Sequence, residues 1–253
     1  MARKRLWDSR STERIGVHSL VYVEFPDTDI DRTVASTAAI VPRQYASGNE
    51  IADLLRDLGK PKTAAFIEGK LPTSKNLRSG ELGEILGTHF ASDVLGYRMI
   101  ARLRWKDSRE MAMRGDDLLG IRDGGGNHLY FLKGEAKSRV ALSTATLVAA
   151  ETALLHHRGR PAAHTLSFLA SRLRELGEPD LSTRIHDATL ARSIPLANVV
   201  HLLFTFSGND PRQLLKKHTN GYSGKVSRQI VGVHTTRHQA FIKKVFEKVI
   251  HDV

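Results

Sequence analysis

Four side chains of this chain combine the types and the spacing needed to hydrolyse a phosphodiester. Asp117 opens an apolar run, Leu118-Leu119-Gly120-Ile121, and Glu135 and Lys137 stand two residues apart further on. Residues two apart on a strand leave the same face, so Glu135 and Lys137 present a carboxylate and an ammonium side by side. A second carboxylate from an adjoining strand would complete a corner suited to a divalent ion and the water it activates. Magnesium takes few protein carboxylates and keeps several waters, so Asp117 and Glu135 suffice as metal ligands, with the Ala136 carbonyl available between Glu135 and Lys137. Glu84 is a further candidate for the same site. Lys137 would orient the attacking water or stabilise charge on the phosphate, a contribution of roughly 10²–10⁴ in rate.

The elements that must position these groups are legible. Asp123-Gly124-Gly125-Gly126-Asn127 supplies a turn between the strand opened by Asp117 and a second strand starting at His128, which makes a β-hairpin of residues 114–139. Leu82, Ile85, Leu86, Phe90 and Val94 have helical spacing and end at Gly96, so Glu84 lies on a helix. Residues 97–105 alternate as a strand, and residues 198–206, NVVHLLFTF, read as a buried central strand. Helices are expected over residues 143–157, 161–177 and 180–192, a further strand over 227–234 and a closing helix over 235–250. Nearer the start, residues 17–25 read as a strand ended by Pro26. One short helix follows from Gly48 and stops at Gly59, and another opens at Pro61. Residues 1–16, with the basic start Met1-Ala2-Arg3-Lys4-Arg5, show no period and read as a flexible or loosely docked start. The order gives one α/β domain: an N-terminal elaboration, 1–78, packed on a core domain, 79–253, with a basic helical C-terminal half.

Composition narrows the chemistry. There is no cysteine, which removes disulfides, thiolate catalysis and cysteine zinc sites together. Thirty-eight Lys and Arg against 27 Asp and Glu leave a net charge of +11, the footprint of a protein that meets a polyanion. Aromatic residues make up only 6%, which favours tracking a duplex backbone over stacking on single strands. Arg139, Arg158, Arg160, Lys216, Lys217, Lys225 and Arg228 are candidate phosphate contacts. No apolar run approaches the ~20 residues needed to cross a bilayer, no signal-peptide apolar region follows the start, and a cytoplasmic protein is expected.

Each feature has a plainer alternative. Asp116 competes with Asp117 for the ligand role but points to the opposite face of a regular strand. Glu81 lies one turn before Glu84 and equally suits the helix dipole. The triple glycine lacks a following Gly-Lys-Ser/Thr and reads as a turn rather than a phosphate loop. His156-His157 and the pair His234 and His238 have metal-like spacings without an obvious third ligand. The whole set also fits a solvated hairpin with ordinary surface charges.

The ordered pieces Gly80-x-x-x-Glu84, Leu95-Gly96-Tyr97, Gly115-x-Asp117 and Glu135-x-Lys137 resemble the PD-(D/E)XK (restriction-endonuclease-like) nuclease superfamily, with Gly115-Asp116-Asp117 in place of its Pro-Asp. The strings SGELGE, RGDDLLG and KGEAKS are similar to HamA, the nuclease-subunit family of the Hachiman antiphage defence system. The resemblance covers about residues 79–140 in its motifs. It implies a mixed central sheet flanked by helices and a DNA endonuclease dependent on Mg²⁺ or Mn²⁺. It also implies a partner helicase (HamB-like) that restrains it, and site residues Glu84, Asp117, Glu135 and Lys137. Two other functions fit the same residues: a restriction or repair endonuclease working alone, and a non-catalytic DNA-binding or scaffold subunit.

Overall fold

The computed structural model describes residues 6–111, 115–126, 128–191 and 194–252. It is an α/β protein built on one mixed seven-stranded sheet of order β1-β2-β7-β6-β5-β4-β3. The strands are β1 (Ser11–Ile15), β2 (His18–Glu24), β3 (Arg98–Met99), β4 (Leu118–Asp123), β5 (Leu129–Arg139), β6 (Val199–Ser207) and β7 (Ser227–His234). The helices are α1 (Ile30–Ala38), α2 (Pro42–Tyr45), α3 (Gly48–Lys70), α4 (Lys75–Asp93), α5 (Thr144–Leu155), α6 (Ala163–Glu175), α7 (Pro179–His186), α8 (Arg212–Asn220) and α9 (His238–Asp252).

The sheet is parallel in its middle, where β2, β7, β6 and β5 run together, and antiparallel at both edges. A strand paired in parallel on both sides is covered on both faces, which is why β6 carries a near-continuous apolar run. Its burial bears out the expectation of a central strand: every residue but Val200 is buried. Parallel neighbours need crossovers; α5, α6 and α7 lie between β5 and β6, and α8 lies between β6 and β7. Seven strands and their flanking helices bury three apolar clusters. One, with Trp7, Phe90, Phe204, Phe206 and Phe246, lies under α1, α4 and α9. On the opposite face Ile121, Phe131 and Val199 pack against α6 and α7. Leu20, Leu203 and Ile230 pack there against α5 and α8.

Three local expectations change. Residues 11–15 form edge strand β1, paired Thr12 to Val21, and Trp7 is fully buried, so the described part of the N-terminal segment is docked. Residues 1–5 lie outside the described residues, as do Arg114, Asn127 and Arg192 of the expected hairpin and helix. The strand expected over 97–105 shrinks to Arg98–Met99, and residues Arg102–Trp105 form a 3₁₀ turn. The cause is Arg102, whose guanidinium turns inward and donates to the carbonyls of Asp116 and Asp117. The N-terminal third also holds α1 and α2, whose short apolar spacings give little periodic signal in the sequence. The strands before residue 78 and those after it share one sheet.

The break at Gly59 is where the sequence puts it. Gly59 has φ of 76°, and α3 continues past it from Pro61. Its start is a capping box, with the Ser47 hydroxyl accepting from Glu50 N and the Glu50 carboxylate accepting from Ser47 N. Among the described residues no helix is long and apolar enough to cross a membrane.

Candidate hydrolytic site on the β4–β5 hairpin

The hairpin turn brings the ends of β4 and β5 together. Gly125 and Gly126 have φ of 86° and 57°, the left-handed region that favours glycine. Asp123 accepts from Gly125 N, and Arg184 holds Asp123 with two contacts of 2.8 Å. The register then pairs Leu118 with Gly134, which brings Asp117 beside Glu135 and Ala136. Asp117 Oδ2 accepts from Ala136 N at 3.1 Å. Asp117 and Glu135 stand close enough to shift each other's ionisation. Lys137 Nζ pairs with Glu135 Oε1, and these two side chains keep 20% and 13% of their surface open to solvent.

Glu84 reaches the same corner from α4. That helix sits close on the sheet because two of its residues have no side chain there. A Cβ on Gly83 would meet Ser138 Cβ at 3.2 Å, and one on Gly87 would meet Leu118 Cδ1 at 2.7 Å. Leu82, Ile85, Leu86 and Phe90 are buried on α4, as their spacing predicts. Burial and the nearby charge of Asp117 push the Glu84 carboxyl well up, to about 8. Burial and Asp117 likewise raise Glu135, to about 7, against the pull of Lys137. Burial raises Asp117 too, opposed by the Ala136 N–H, Lys137 and Arg102. Three carboxyls therefore crowd a desolvated corner with Lys137 as the ammonium beside them.

The two competing acids point elsewhere. Asp116 is 9% exposed; its Oδ2 accepts from Ala162 N at 2.8 Å, and its Oδ1 lies 3.5 Å from Lys133 Nζ. It caps the start of α6 and neutralises a buried lysine. Glu81 is buried on α4, where it accepts from the Tyr45 hydroxyl and pairs with Lys106. Burial raises its carboxyl despite those two partners.

Sequence reading missed Arg102, which braces the carbonyls of both aspartates, and Lys133, which sits on the same strand face as Glu135. Alternation along β5 was the available signal for Lys133, since residues 131, 133, 135 and 137 share one face. Of the candidate phosphate contacts, Arg228 is 1% exposed and held by Glu151 at 2.9 Å, so it faces no substrate. Lys216 pairs with Glu13 at 2.6 Å on the far edge of the sheet. Arg139 and Arg158 are exposed, as are Lys217 and Lys225, and Arg160 is half-buried, with Nε donating to Ile194 O. His234 faces the Gly208 carbonyl and His238 the Ser138 hydroxyl, so the pair diverges. Among the described residues no three His, Asp or Glu side chains are arranged to hold a metal ion by themselves.

No curated protein matches the chain. The family model described as HamA matches residues 4–249, nearly its whole length. The chain belongs to the HamA family, which places it in the context of Hachiman antiphage defence.

Proposed function

We propose that this chain is a metal-dependent DNA endonuclease with a PD-(D/E)XK core, the effector of a Hachiman defence complex governed by a partner helicase. The observation that carries the reading is the corner itself. Asp117, Glu135 and Lys137 converge from adjacent antiparallel strands, the Ala136 peptide lies between the last two, and Glu84 approaches from α4.

The donor set fits Mg²⁺ or Mn²⁺. Asp117, Glu135 and the Ala136 carbonyl are hard oxygen donors, and such an ion keeps several waters, so it needs no full protein cage. The raised carboxyls of Glu84, Asp117 and Glu135 mark negative charge short of compensation, which a divalent cation supplies. When bound, the ion would supply Lewis acidity and a more acidic water. The chain's own part is positional. Asp117 is fixed by the Ala136 N–H, and Arg102 holds the backbone on which it sits. Lys137 keeps its ammonium at the open side of the corner, where it can meet a phosphate oxygen or the attacking water. Glu84 adds a carboxyl from behind, able to hold a proton near neutral pH. The net charge of +11 favours a polyanionic substrate.

Plasmid DNA incubated with purified protein, Mg²⁺, the proposed partner helicase and ATP tests the reading. Nicking or linearisation by the wild type, lost in Glu135→Ala and Lys137→Ala, is the expected result. Equal behaviour of wild type and both variants with every component present refutes it. Cleavage that needs no partner would keep the nuclease and remove the helicase control.

A further inference from the structure

The segment joining α5 to α6 is held in an unusual conformation from below. His157 and Arg158 both have φ of 56°, and Gly159 follows at 76°. Left-handed backbone is unfavourable for residues with a Cβ, by roughly 1–2 kcal/mol each, and two in succession persist only where the surroundings over-determine them.

Buried groups do that here. Lys133 Nζ donates to His156 O at 2.8 Å and to Arg160 O at 3.1 Å. His201 Nε2 lies 2.8 Å from Gly159 O, and Asp116 accepts from Ala162 N at 2.8 Å. Lys133 and His201 are 1% and 0% exposed. The residues these pins lift into solvent are basic: His156, His157 and Arg158 are exposed. Among the described residues no carboxylate pairs with the Arg158 guanidinium.

The place of the segment gives it a use. Lys133 precedes Glu135 by two on the same face of β5, a separation of roughly 7 Å. Asp116 precedes Asp117 in the chain. The pinned segment is therefore a wall beside the hydrolytic corner, attached to it through the residues next to both candidate ligands.

We propose that residues 156–160 form a seat for the phosphodiester backbone next to the scissile group, with Arg158 as its charged contact and His157 as a hydrogen-bonding one. The proposal rests on the nuclease reading and adds to it the residues that hold the strand. Arg158 stands exposed at the crest of this turn.

The test is a fluorescence-anisotropy titration of a short DNA duplex over a range of salt, in Ca²⁺ or EDTA so that nothing is cut, with thermal unfolding alongside. Arg158→Gln removes the charge and keeps the turn. It should weaken binding about 8-fold at 0.1 M salt and reduce the salt slope by about 0.9, the value of one phosphate contact. Arg158→Gly should weaken binding at least as much while raising Tm by about 2–4 °C, because glycine relieves the backbone. Lys60→Gln, an exposed charge on α3, should change neither binding nor slope beyond ~2-fold. Unchanged affinity and slope in both Arg158 variants overturns the seat and leaves the nuclease reading intact. A wild type that binds no DNA even at low salt overturns the seat, while the plasmid assay with helicase and ATP decides the nuclease reading separately.

Discussion

Two adjacent aspartates should respond to substitution in opposite ways. Asp116 is a buried partner of Lys133, with side chains 7% and 2% exposed, and it also accepts the Ala162 N–H. Asp116→Ala leaves an ammonium buried without its carboxylate and a backbone donor without its acceptor. Breaking a buried pair by removing one partner costs about 3–5 kcal/mol, and the lost acceptor is about 1–3 kcal/mol on the same scale, overlapping in part. A loss of roughly 4 kcal/mol is expected, a large share of a total near 5–15 kcal/mol. Asp117 is instead held up chiefly by burial, and its charge in turn pushes up the carboxyls of Glu84 and Glu135. Asp117→Asn keeps an oxygen for the Ala136 N–H and removes one charge from the crowd. In EDTA its stability should be unchanged or higher, while cleavage disappears. Urea unfolding at pH 7, followed by Trp fluorescence, measures the stability of both variants, provided the m value stays constant. Asp116→Asn/Lys133→Met should recover part of the loss, since replacing both charged members of a buried pair is cheaper than removing one, while the Lys133 bonds to His156 O and Arg160 O go with the ammonium. If Asp116→Ala costs under about 1 kcal/mol, or Asp117→Asn costs as much as Asp116→Ala, the assignment of the two aspartates is wrong.

Two further outcomes follow from burial alone. His201 and His238 are held near pKa 4 from an ordinary 6.5, chiefly by burial, so below 6.5 the unfolded chain takes up protons that the folded one refuses. Their contribution is therefore neutral above pH 6.5 and turns unfavourable as pH falls towards 4. It amounts to on the order of 2 kcal/mol per histidine at pH 5, and His201→Gln should flatten the pH 7-to-5 stability change by about that much. Gly87→Ala would drive a methyl against Leu118 Cδ1 at 2.7 Å and Phe204 Cγ at 3.2 Å. A loss of about 1–3 kcal/mol in urea unfolding is expected, together with weaker cleavage because α4 carries Glu84.

Local signals in the sequence reached the site better than they reached the frame. The hairpin, the helix of Glu84 and the buried strand β6 each announce themselves through turn glycines, a helical stripe or an apolar run. The choice of Asp117 over Asp116 also followed from strand alternation, and the structure sends the two carboxylates in different directions. The inward turn of Arg102 carried no such signal: YRMIARLRW alternates like a strand, yet the Arg102 guanidinium turns in to the carbonyls of residues 116 and 117. Strand β1 was hidden because an exposed edge needs no apolar alternation. The left-handed residues His157 and Arg158 break the rule that glycine marks such positions, so nothing in their types foretold them.

The pairing of β2 with β7 has a consequence for how this protein is made. Ser19 lies opposite Gln229, and contacts such as Arg228 N to His18 Nδ1 span 210 residues. At a synthesis rate of ~5–20 residues per second, β2 waits roughly 10–40 s on the ribosome before its parallel partner exists. Through that interval Leu20, Val21 and Val23, all buried in the finished sheet, have no neighbour on that side. The corner on β4 and β5 is already synthesised by then, along with β6. Closing the sheet thus comes late in biogenesis, with α9 still to follow β7, and a ribosome that stops short of β7 leaves a sticky early strand and an open core for quality control to find.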